Sequence, residues 1–64
     1  MMRTRLIEAR KSQNLSQRAL ADLIGTTQNN ISRWELGLTT PTAYFRTKLC
    51  DFFGKRPQDL EVAW

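Results

Sequence analysis

Apolar positions in this chain recur every three or four residues, in short runs closed by glycine, proline or asparagine, and that spacing predicts helices throughout. Leu6, Ala9 and Gln13, preceded by Met2, share one face of a first helix over residues 4–13, with Arg10 at its edge. Asn14 suits its end, because asparagine tolerates the left-handed backbone. Ser16 is a natural N-cap for a second helix over residues 17–24, whose inner face carries Leu20, Ala21 and Ile24. Leu15 stands before that cap, where it can pack back on the helix as a hydrophobic staple. Gly25 ends the run.

Thr26 or Thr27 caps a third helix over residues 28–36, which Gly37 terminates. After a connector, Thr42 begins a fourth helix over residues 43–53. Phe45, Leu49, Phe52 and Phe53 line one side of it, with Cys50 beside Leu49. Pro57 suits the first turn of a short fifth helix with Leu60 inward. Val62 and Trp64 follow as an apolar tail. No stretch alternates with period two, so strands have no support. The expected fold is all-α: five helices in a single domain spanning residues 1–64.

Composition narrows the function. The apolar share is 41%, enough for one core but not for a deep cleft beside it. Ten Lys plus Arg against 6 Asp plus Glu leave a net charge of +4. On so short a chain that field favours polyanions, nucleic acid ahead of an anionic membrane. No helix pairs a strongly basic face with a broad exposed apolar one, which argues against a membrane surface. The absence of histidine removes the commonest general base and metal ligand. The one cysteine, Cys50, excludes an intramolecular disulfide and zinc-finger spacing. It reads as a small core residue on the fourth helix. No enzyme, metal, cofactor or small-molecule ligand is implied. Glu8, Arg10 and Lys11 interrupt the only apolar stretch near the start, so a signal peptide or membrane span is not expected, and the setting is read as cytoplasmic.

The third helix carries the chemistry. At about 100° per residue, Gln28, Asn29, Ser32 and Arg33 form one polar arc, and Ile31 and Trp34 lie opposite. An ordinary solvated helix face is built of Glu, Lys and Arg, which are better helix formers than Asn or Ser. This one has amides, a hydroxyl and a guanidinium, and no acid. Those groups suit base edges: Gln and Asn bond adenine, Arg bonds guanine, and Ser serves as donor or acceptor. Two short helices joined by a turn containing Gly25 make a helix-turn-helix.

Leu15-Ser16-Gln17, Leu20-Ala21, Ile24-Gly25-Thr26-Thr27, Ile31-Ser32, Trp34-Glu35 and Gly37 together resemble the Cro and lambda-repressor type of helix-turn-helix regulator, also called the XRE type. Arg10 and the apolar spacing of the fourth helix match as well. The resemblance implies that Gln28, Asn29, Ser32 and Arg33 enter the major groove. It implies that Gln17, Asn30, Thr27, Thr39 and Arg10 meet the phosphate backbone, with Gln17 bracing Gln28. It also implies an ion pair between Arg10 and Glu35. The partner would be a double-stranded DNA operator, bound by a homodimer formed in solution or only on DNA. The connector, residues 38–43, departs from the family in having no Lys or Arg, so Thr39, Thr40, Thr42 and Tyr44 offer only hydroxyls there. Arg46, Lys55 and Arg56 also replace residue types usual in the family.

Arg3 and Arg5 read either as phosphate contacts or as part of a solvated terminus. A rival reading keeps the fold but makes it a protein-interaction module, an antitoxin half or a regulator-docking adaptor. Its working surface would be an apolar patch of Val62, Trp64, Leu23 and Tyr44.

Overall fold

Hydroxyl caps and left-handed residues set the helix ends. The computed structural model describes residues 1–63. Its elements are α1 (Thr4–Ser12), α2 (Gln17–Ile24), α3 (Gln28–Leu36), α4 (Ala43–Phe53) and a single 3-10 turn (Pro57–Leu60), with no strand among the described residues. Ser16 caps α2 by accepting from the amide of Ala19 at 3.0 Å. Thr27, rather than Thr26, caps α3, accepting from the amide of Asn30 at 3.2 Å. Each cap answers an amide that has no partner inside its own helix. Thr42 holds the N-cap position of α4 with extended backbone, but its hydroxyl makes no cap bond.

Two glycines are needed at the ends of the helix-turn-helix pair. Gly25 follows α2 at φ 89°, and Gly37 follows α3 at φ 76°. At Gly37 there is a second reason: a Cβ there would run into the backbone carbonyl of Met1, which lies directly over it.

Leu6, Leu20, Ile31, Leu49, Leu60 and Val62 are fully buried, so every helix, the 3-10 turn and the tail send at least one side chain to the centre. Burying each such side chain contributes about 1.5–3 kcal/mol. Trp34 packs over the same core, with its ring 5.5 Å from that of Phe45. α2 and α3 pack on one another across the Gly25 turn, and α4 backs α2. This holds α3 by its Ile31–Trp34 side and leaves the opposite side free.

Near both ends of the chain the structure departs from the expectations. α1 stops at Ser12, and Gln13 is exposed: the chain reverses through Asn14 at φ 57°, which turns Gln13 out. Met2 is likewise half-exposed, at 51%, and the inner face of α1 is Leu6, Ala9 and Arg10. The expected fifth helix is one 3-10 turn. Leu60 and Val62 are both fully buried. Positions two apart point to nearly opposite sides of a helix, so no continuing helix could bury both. The chain instead turns at Glu61, φ 60°, and the amide of Val62 closes back on the carbonyl of Pro57 at 3.0 Å. Val62 is therefore core, and it cannot belong to the exposed apolar patch of the interaction-module reading. Leu23 and Tyr44 are exposed, and Trp64 lies outside the described residues.

Candidate nucleic-acid interface

The outer side of α3 is set by what its inner side buries. Ile31, Trp34 and Glu35 face inward. Gln28, Asn29 and Arg33 are exposed, and Ser32, on the same arc, is half-buried. Glu35 is the one acid on α3, and its side chain is only 3% exposed. The surface that α3 presents is thus amides, a hydroxyl and a guanidinium, with its carboxylate withdrawn.

Burying a carboxylate demands partners, and three polar groups supply them. Arg10 Nε donates to Glu35 Oε2 at 2.6 Å and Arg10 Nη2 to Glu35 Oε1 at 3.1 Å. Gln17 Nε2 donates to Glu35 Oε1 at 3.0 Å. Arg10 Nη1 reaches the carbonyl of Leu15 at 2.8 Å. One carboxylate therefore joins α1, α2 and α3, and Arg10 also holds the chain just before the Ser16 cap.

This changes two site assignments. Arg10 is spent inside, on Glu35 and Leu15, so the phosphate contact expected of it is withdrawn: a guanidinium at 9% residue exposure with those partners is not available to a duplex. Gln17, half-buried at the start of α2, braces Glu35 and not Gln28.

The remaining predicted contacts flank α3. Asn30 donates from Nδ2 to Thr26 Oγ1 at 2.9 Å, which stitches the turn to the first turn of α3. Thr27 is exposed, with its hydroxyl on the cap bond. Thr39 is exposed in the connector, and its carbonyl accepts from Arg3 Nη1 at 2.7 Å.

Arg3 is what sequence reasoning misplaced. It is half-buried, not frayed, and its guanidinium also reaches the carbonyls of Trp34 and Glu61 and the hydroxyl of Thr40. Glu61, on the far side, accepts from the amide of Arg5 at 2.7 Å, and so caps α1 from the other end of the chain. No local pattern around Arg3 could have signalled this, because its partners lie 31 residues or more away.

Among the described residues, no helix is long and apolar enough to cross a membrane. No cluster of three or more His, Cys, Asp or Glu side chains could hold a metal there. A helix-turn-helix family model matches residues 6–60. No curated protein and no solved structure matches the chain.

Proposed function

The chain belongs to the XRE-type helix-turn-helix family of DNA-binding transcription regulators, and within that family we propose that it is a cytoplasmic repressor occupying a near-palindromic operator as a dimer. The observation that carries this reading is the acid-free outer side of α3, left so because Glu35 is buried against Arg10. A carboxylate on that side would be repelled by phosphates.

In this reading Gln28, Asn29, Ser32 and Arg33 read base edges in the major groove. Gln17, with the amide hydrogen not given to Glu35, meets a phosphate together with Asn30, Thr27 and Thr39. The whole chain acts as one domain. One short helix covers only a few base pairs, so useful specificity requires two copies on half-sites about 34 Å apart. Affinity comes mainly from attraction between the net charge of +4 and the phosphates and is salt-dependent, while the uncharged contacts fix the register.

Selection of the purified protein on a random duplex library, with the winners titrated against salt, tests it. Enrichment of a short palindrome with a steep salt dependence supports the reading. Weak binding without an enriched motif overturns it and moves the weight to protein interaction.

A further inference from the structure

We propose that Arg3 is a positioning residue for DNA reading, a role that rests on the function proposed above. It locks the last turn of α3, the connector and the C-terminal turn into one body. That body sets how the outer side of α3 and Thr39 meet a duplex together.

The bonds converge from three parts of the chain. Arg3 Nη1 donates to the carbonyl of Trp34 at 2.6 Å, in the last turns of α3, and to that of Thr39 at 2.7 Å. Nη2 donates to Thr40 Oγ1 at 2.9 Å, and Nε to the carbonyl of Glu61 at 2.8 Å. The backbone amide of Arg3 adds a bond to the carbonyl of Glu35 at 2.8 Å. Beside it the backbone of Met1 lies on Gly37, the end of α3.

The connector needs such an anchor. It carries no Lys or Arg with which to bind phosphate for itself. Its buried residue is Pro41, which leaves Thr39 and Thr40 to be held from outside the core. A planar fork with several donors suits the task, and an ammonium on a flexible stem does not. The same arithmetic separates this role from a direct phosphate contact. Both hydrogens of Nη1 and that of Nε are spent inside the protein, which leaves a single outward N–H on Nη2.

The test compares wild type, Arg3→Lys, Arg3→Ala and Thr40→Val on the duplex enriched by the library selection, at a temperature where circular dichroism shows each to be folded. Arg3→Lys and Arg3→Ala are both expected to bind about tenfold more weakly, with the slope of log affinity against log salt unchanged. Wild-type affinity in Arg3→Lys would overturn the proposal, because a simple charge would then suffice. So would a slope reduced by about one in Arg3→Ala, the mark of a lost phosphate contact. If the Arg3 variants fail to fold, Thr40→Val decides: a loss of about threefold is expected, and none overturns the proposal. If wild type enriches no duplex, the proposed function falls and this role with it. If wild type binds and Arg3→Lys binds equally, only the role of Arg3 falls.

Discussion

Arg10 and Glu35 meet side by side in the interior, Nε to Oε2 at 2.6 Å and Nη2 to Oε1 at 3.1 Å, and tie α1 to the helix that carries the candidate base contacts. Removing one partner strands the other charge. Arg10→Ala is expected to cost about 3–5 kcal/mol, a large fraction of the stability of so small a domain. The double replacement Arg10→Met with Glu35→Leu should recover most of that loss, since no buried charge then remains. Urea unfolding of the three proteins measures both. A loss under about 1 kcal/mol in Arg10→Ala would mean that Glu35 finds water or another donor.

Arg33 is the exposed guanidinium on the outer side of α3. Arg33→Ala should weaken the enriched site by about 1–3 kcal/mol and relax the preference at one position of each half-site. Gln17→Ala should weaken all duplexes more evenly, because phosphates carry no sequence. Repeating the library selection with each variant distinguishes them. An unchanged motif and affinity in Arg33→Ala would remove α3 as the reader.

Val62 separates core from docking surface. It is fully buried, so Val62→Asp places a carboxylate among apolar side chains and should abolish cooperative thermal unfolding. An exposed docking residue would tolerate the change with its melting temperature unaltered. Leu23→Asp, at a position 58% exposed, serves as the control and should leave the transition in place.

Burial pushes the Cys50 thiol above its ordinary range, with Asp51 and Asp59 adding to the effect and Arg46 opposing it. Less thiolate is then present at neutral pH, and alkylation by iodoacetamide at pH 7.5 should run slower than that of a free cysteine. The sign also carries over to folding. As pH rises past the ordinary thiol range, the unfolded chain gives up this proton first, so the contribution of Cys50 to stability declines there. A rate equal to free cysteine, or one that rises on unfolding by less than twofold, would mean that the thiol is open to solvent.

The sequence by itself determined the parts that local physics controls. α2, α3 and α4 have the bounds predicted for them, because a cap bond, made at Ser16 and Thr27, spans three residues and a left-handed stop is a property of one; Thr42 opens α4 with extended backbone and no cap bond. The polar arc of α3 was legible for the same reason: helical periodicity decides which side chains share a side, and Ile31 and Trp34 decide which side is buried. The tertiary structure alone decided the rest. The resemblance pairs Gln17 with Gln28, and only the packing of α2 on α3 brings it to Glu35 instead. The chain after Pro57 looked like a helix start, but Leu60 and Val62 both found room in the core and a helix cannot offer both. In sequence Arg3 reads either as a phosphate contact or as part of a solvated terminus. Its bonds close over separations of 31 to 58 residues, and nothing in the neighbouring sequence encodes a contact that exists only once both ends of the chain have been folded together.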